Sequence, residues 1–386
     1  MSKVKIIDKS NIKNIKNERN LLSKLNHPFI VNMHFSFQNN NFLYLVIDLL
    51  TGGDLRYHLY YKKFFTEEQT KFFISCVILG LEYCHSNLII HHDIKPENLI
   101  LDSHGYAHIA DFGIAKMQQP NNAKEISGTL GYMAPEVLFE KDHTTVADYF
   151  SLGVICYEFM NGVKPYKGKT RKEMKANIRE KEIKLDKTNI KDGWSLEAAD
   201  FINQLLKRQP FKRLGNNGGI SEVKKHVWLK DINWKDLYNG IIKSPYIPFG
   251  EDNFEHSFCN AEDAKKEDTE QRYQKIMNSN EYKTMFDDYY YFNRYDVKTQ
   301  GLKVLYFNIH EKIYKIKQMP RLNTGIITVN KKYQNMKIPI KPGLKRGISP
   351  MGTMPNKAFT EANNFIIKRK NRSKQKLEIP KLKLNS

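Results

Sequence analysis

Apolar residues recur at helical spacing along two stretches of the chain, 67–84 and 147–161, and each predicts a helix with a buried face. The run 42–50 is short, apolar and flanked by polar residues, and it reads as a strand. The densest apolar segment, 72–84, is too short and too interrupted to span a bilayer, so it predicts a buried core helix. Toward the carboxy terminus the pattern thins. Only Leu302–Phe307 and Ile326–Val329 keep β-prone runs. No internal repeat of any period emerges.

Three polar strings sit among these elements: His91-His92-Asp93-Ile94-Lys95-Pro96-Glu97-Asn98, then Asp111-Phe112-Gly113, then Ala134-Pro135-Glu136. Oxygen donors such as Asn98 and Asp111 suit magnesium. A carboxylate such as Asp93 can accept a hydroxyl proton, and an ammonium such as Lys95 can neutralise a migrating phosphate. In this order the strings resemble the catalytic loop and metal-binding motif of a serine/threonine protein kinase. The resemblance implies transfer of the γ-phosphoryl group to protein Ser/Thr hydroxyls, with ATP and Mg2+ as cofactors. It implies Asp93, Lys95 and Thr129 as the catalytic set, with Asn98 and Asp111 on the metal. It also implies that Asp148 anchors the catalytic-loop backbone and that Arg213 pairs with Glu136. Leu22, Met33, His91 and Phe112 can fill the regulatory stack of such enzymes, or serve equally well as plain core.

Upstream, Val46-Ile47-Asp48-Leu49-Leu50-Thr51-Gly52-Gly53-Asp54-Leu55-Arg56-Tyr57-His58-Leu59 resembles the hinge of an AGC-group kinase, most similar to the YANK type. That likeness makes Ile47 the gatekeeper, puts the backbones of Asp48 and Leu50 on adenine, and packs Ile100 below it. Asp54 is placed to reach the ribose or a basic substrate residue. Asp54, Glu97 and Glu158 stand where basophilic members hold arginines upstream of the phosphorylated residue, which implies protein substrates with Ser/Thr near basic residues. Val4–Lys9 resembles the third strand of the small lobe. Lys5 is then the phosphate lysine and Glu18 its helix partner. The expected nucleotide set is therefore Lys5, Glu18, Ile47, Asp48, Leu50, Asp54, Glu97 and Ile100.

The implied fold is α+β, a bilobal kinase with a mainly helical large lobe and a truncated β-rich small lobe. No Gly-x-Gly-x-x-Gly precedes the hinge, so the loop that covers the phosphates and the two strands that carry it are missing. Either the chain is an incomplete version of a longer kinase, or it is a reduced kinase. A scaffold that binds nucleotide weakly is the competing function. Truncation predicts an exposed edge on the Lys5 strand, which the β-prone runs at 302–307 and 326–329 could cover. The expected division is 1–50 small lobe, 51–235 large lobe, 236–300 AGC-like tail and 301–386 basic, disordered tail. Phe286–Tyr291 loosely resembles a hydrophobic motif that folds back beside the Glu18 helix; Phe254–Phe258 is a rival, and an ordinary aromatic-rich linker is the bland alternative.

Two departures bear on control. His92 replaces the arginine that usually binds an activation-segment phosphate, and Glu125 stands at the phosphosite. The pair predicts activity that does not await phosphorylation there. Charge then narrows the partners. The chain carries +20, and 301–386 holds 20 Lys/Arg against 3 Asp/Glu, +17 of that total. The kinase-like region is thus close to balanced, which argues against reading the whole protein as a nucleic-acid binder. The Lys368–Lys376 cluster suits an anionic partner: a lipid surface, an acidic protein or a nuclear import receptor. Lys345–Ser349 and Arg369–Ser373 resemble basic phosphoacceptor motifs. Cys76, Cys84, Cys156 and Cys259 lack metal spacing, and the first three read as core. With no signal peptide and no Met-Gly start, a cytoplasmic or nuclear monomer is expected.

Overall fold

The computed structural model describes residues 1–8, 11–39, 41–248 and 285–292. Its largest core is helical. Helix α4 (Glu67–Ser86) starts at a Thr66–Gln69 capping box and places Glu67 and Glu68 at the positive end of its dipole. Twelve of its residues are buried, so it runs through the core instead of along its rim. The strand Ala107–Ile109 (β5) lies against it at Gly80, where an added Cβ would stand 2.9 Å from the Phe29 carbonyl oxygen and 2.8 Å from Ile109. Helix α6 (Val146–Asn161) crosses α8 (Leu196–Leu205) at Gly153, where a Cβ would meet Leu205 at 2.7 Å. Its left-handed C-cap is Gly162 at φ 72°. Both helices predicted from periodicity are thus present, nearly to the residue. No helix among the described residues is long and apolar enough to cross a membrane.

A three-stranded antiparallel sheet in the order β2-β1-β7 joins Leu43–Ile47, Met33–Gln38 and Tyr291–Phe292. Helices α1 (Lys3–Asp8) and α2 (Ile12–Leu22) flank it. Ile6, Ile15 and Leu43 form a small second core with Phe286 and Tyr289. The segment 285–292 therefore docks on the sheet: Ser36 Oγ donates to the Tyr289 carbonyl at 2.7 Å, Gln38 Nε2 donates to the Phe286 carbonyl at 2.5 Å, and Lys16 pairs with Asp288 at 2.9 Å. It covers the β1 edge. The runs at 302–307 and 326–329, the rival Phe254–Phe258, Cys259 and the basic tail lie outside the described residues.

One expectation fails here. Val4–Lys9 was expected to be a strand, yet residues 3–8 are helical. Only the start of the chain pairs with the sheet, through a Ser2–Phe42 bridge and a Lys3 N–H to Asn41 carbonyl bond of 3.0 Å. The helix wins because an i, i+3 face puts Ile6 in the second core and Lys3 beside it. Lys3 is buried; its Nζ donates to Gln38 Oε1 at 2.6 Å and stands 5.3 Å over the Phe286 ring.

Candidate active site

Two short hairpin strands carry the central polar residues. Strands β4 (Leu99–Leu101) and β5 pair antiparallel, so Asn98 just before the first and Asp111 just after the second lie at the same end. The loop leading to Asn98 is held from below by Asp148, which is fully buried on α6 and accepts the His91 and His92 backbone N–H groups, both at 2.9 Å. Burial alone would raise this carboxyl, but the 2.9 Å bond from His85 outweighs it, and its pKa falls to about 2. His92 takes φ +66° at this bend.

Asp93 is the hub. Its carboxylate accepts from Lys95 Nζ at 2.6 Å, Thr129 Oγ1 at 2.6 Å, the Thr129 N–H at 3.0 Å and Asn98 Nδ2 at 3.1 Å. Lys95 Nζ also reaches Thr129 Oγ1 at 2.9 Å. Burial opposes the charge on Asp93, yet the Lys95 and Thr129 bonds hold its pKa below the ordinary carboxylate value. The result is an ionised base with an ammonium beside it. Asn98 spends its NH2 on Asp93, through the carbonyl at 3.0 Å and the carboxylate, and so leaves its amide oxygen for another ligand. Asp111 is exposed at φ +60° with Oδ1 accepting the Gly113 N–H at 3.1 Å. Phe112 points the other way, fully buried, with its ring edge-on to His91 at 4.9 Å. Leu22, Met33, His91 and Phe112 are all buried, as a regulatory stack or a plain core would each require.

Asn98 and Asp111 offer two hard oxygen donors. Among the described residues no three His, Cys, Asp or Glu side chains gather into a metal cage. Two protein ligands at an open site fit magnesium, which is held largely by water and phosphate oxygens, better than they fit calcium or zinc.

Ile47 ends β2 and is 46% exposed. The Asp48 side chain is fully engaged, accepting from the Asn32 N–H at 2.9 Å, Asn32 Nδ2 at 2.8 Å and His34 Nε2 at 2.8 Å. Its backbone N–H bonds the Asn32 carbonyl at 3.0 Å. Leu50 and Ile100 are half-buried. Asp54 caps helix α3 (Leu55–Lys62) by accepting the Tyr57 N–H at 2.8 Å, and its backbone bridges to Ile100.

Lys5 and Glu18 are not brought together. Lys5 sits exposed on α1, and no ion pair joins the two among the described residues. Glu18 is half-buried on α2 instead, where desolvation and then the Asp111 charge raise its pKa to about 7. The expected pair fails for the same reason as the expected strand: Ile6 and Lys3 take the inner face of α1, which turns Lys5 outward.

Further residues stand out that sequence reasoning passed over. Arg56 lies between Glu97 and Glu158, bonding them at 2.9 Å and 3.0 Å. Lys116 pairs with Glu125 at 3.1 Å, and His92 Nε2 meets His143 Nε2 at 3.0 Å. Arg56 is visible in the sequence two residues after Asp54, but nothing local says which acids it meets. Farther out, Arg213 and Glu136 form a buried fork with contacts of 2.6 Å and 2.9 Å.

A family model described as "Protein kinase domain" matches residues 1–229. A probable serine/threonine-protein kinase of Dictyostelium discoideum is 40% identical over 263 residues, 66% of this chain and 56% of the relative. Human ribosomal protein S6 kinase alpha-2 is 42% identical over 236 residues, 60% of this chain and 32% of that protein. Ribosomal protein S6 kinase alpha-1 of Rattus norvegicus is 38% identical over 253 residues, 64% of this chain and 34% of its own length. The chain thus spans about half to a third of these relatives.

Proposed function

Because the chain belongs to the protein kinase family, we propose that it is an ATP- and magnesium-dependent serine/threonine kinase of the AGC group with a YANK-type hinge. The observation that carries this reading is the closed set of contacts among Asp93, Lys95, Thr129 and Asn98. Phosphoryl transfer asks the protein chiefly for position and charge. Asp93 is ionised and oriented by Thr129, so it can accept the proton of an incoming hydroxyl. Lys95 is held where it can balance the negative charge that develops there. The free oxygen of Asn98 and the carboxylate of Asp111 would hold magnesium. When bound, that ion neutralises and orients the nucleotide phosphates. The Asp48 carbonyl and the Leu50 amide would meet adenine, with Ile47 and Ile100 beside it. This division of labour follows the expected lobes, 1–50 and 51–235.

Protein substrates follow from the family. A preference for basic motifs, expected from Asp54, Glu97 and Glu158, is weakened because Arg56 already occupies two of these acids. The Lys116–Glu125 pair supports activity without activation-segment phosphorylation, since a fixed carboxylate holds that segment where a phosphate otherwise would. The charge of 301–386 supports an anionic partner, a lipid surface, an acidic protein or a nuclear import receptor.

A second reading, a scaffold with weak nucleotide binding, rests on the outward Lys5. One experiment separates the two. The purified chain is given Mg-ATP and a set of serine and threonine peptides, with Asp111→Asn in parallel. Magnesium-dependent phosphoserine or phosphothreonine that falls at least a hundredfold in the variant is the expected result, with intact mass showing no stoichiometric phosphate on residues 111–136 of the active protein. No transfer above the Asp111→Asn background selects the scaffold.

A further inference from the structure

A guanidinium has five N–H donors in a rigid fork, so its position reports which acids are already satisfied. Arg56, in the first turn of α3, donates from Nε to Glu97 at 2.9 Å. It donates from Nη1 and Nη2 to the two oxygens of Glu158, at 3.0 Å and 3.2 Å. It also reaches the Tyr132 hydroxyl, which in turn donates to Glu158. Glu158 projects from α6 with its side chain only 4% exposed. Lys164 Nζ stands 4.2 Å over the Tyr132 ring. The two carboxylates are therefore balanced by two cations.

The cluster adjoins the acceptor side of the site. Glu97 follows Lys95 by two residues, and the Tyr132 N–H bonds the Thr129 carbonyl at 3.1 Å. The cleft of about 350 Å³ that flanks Arg56 is lined by Leu59, Tyr60, Lys63, Phe64 and Asn161 as well, with no carboxylate on its wall. Asp54 has one oxygen committed to its helix cap. A substrate arginine arriving here finds both oxygens of Glu158 taken, and one each of Glu97 and Asp54.

We propose that Arg56 is a specificity-determining residue: it fills from within the acidic subsite beside the phosphoacceptor position, so that a substrate arginine is not selected there. This rests on the kinase reading above and reverses the preference that the three acids alone imply. A bidentate arginine–carboxylate contact is geometrically exclusive, and displacing Arg56 would strand either it or the newcomer beside another cation.

The test uses paired serine peptides with Arg or Ala at the upstream positions. In the wild type the Arg/Ala ratio of kcat/KM is expected to stay below about fivefold, the contribution of one exposed pair at Asp54. Arg56→Ala frees both glutamates and should raise that ratio at least tenfold over the wild type, with Arg56→Lys in between because it keeps the charge and loses the fork. A wild-type ratio above fivefold, or a smaller rise in Arg56→Ala, overturns the proposal. Should Arg56→Ala lose cooperative melting, the wild-type and Arg56→Lys ratios decide by the same fivefold limit and by whether Lys raises the ratio at all. If the wild type phosphorylates neither peptide, the kinase reading fails on its own. Fluorescence anisotropy of the same labelled peptides then decides on Arg56: tighter binding of the Arg peptide to Arg56→Ala than to wild type supports it, and equal or weaker binding overturns it.

Discussion

At the scale of single residues, the site is governed by which charges are compensated and which are not. Asp93 and Asp148 are each buried and each satisfied by named donors, which hold their pKa values below the ordinary carboxylate range. Glu18 is the exception. With no cation partner among the described residues, its burial and the nearby Asp111 lift its pKa from the ordinary 4.5 to about 7. Its folded-state pKa lies above its unfolded one, so the native state holds the proton where the unfolded chain has lost it. Stability from this group is full below pH 4.5 and drains away as pH rises to 7, by roughly 3 kcal/mol. Glu18→Gln should remove that decline. Thermal melts of wild type and variant between pH 5 and 7.5 check it: convergence of the two curves toward low pH is expected, and parallel curves would contradict the assignment.

Residue identity carried much of this into the sequence and geometry supplied the rest. Asp93, Lys95, Asn98 and Asp111 stand in the strings that carry the kinase resemblance, and a tight hairpin leaves their ends little freedom to separate; Thr129 was legible through that resemblance alone. Lys5 was misread for the opposite reason. Its neighbours Val4, Ile6 and Ile7 suit a strand as well as a helix, and the core that Ile6 joins, with Ile15, Leu43 and the distant Phe286 and Tyr289, decides between them. Arg56 was legible as a cation, while its partners lie 41 and 102 positions away.

At the scale of elements, the small sheet depends on a segment from far along the chain. Strand β7 pairs with β1 through Phe35–Phe292 and Ser36–Tyr291, and the turn before it buries Phe286 and Tyr289 to within 2% of complete burial. A two-stranded sheet is marginal alone, and the third strand covers the edge of β1 and brings its own apolar surface. Phe286→Ala is expected to cost about 3 kcal/mol. Hydrogen exchange should quicken at the amides of Phe35 and Phe37 and stay unchanged in α6; equal effects in both would show that the segment supports the whole core instead of the sheet. The aromatic-rich stretch was visible in the sequence, but an ordinary linker would have the same composition, so its docking was not. Long periodic helices such as α4 and α6 were read nearly to their ends, since a buried helix is marked by its own apolar spacing.

At the scale of the whole molecule, the described core places an ionised base, an ammonium and two oxygen donors at the mouth of one hairpin, backed by a buried carboxylate and a buried Arg213–Glu136 fork. On the proposed reading, Asp93 takes the proton of the acceptor hydroxyl during phosphoryl transfer. Single-turnover transfer from Mg-ATP to a serine peptide, comparing wild type with Asp93→Asn, tests it most directly. The asparagine keeps the shape and loses the base, so the rate constant should fall by about a hundredfold or more while the affinity for Mg-ATP stays within about twofold. A variant that transfers phosphate within tenfold of the wild-type rate would show that Asp93 is not the base.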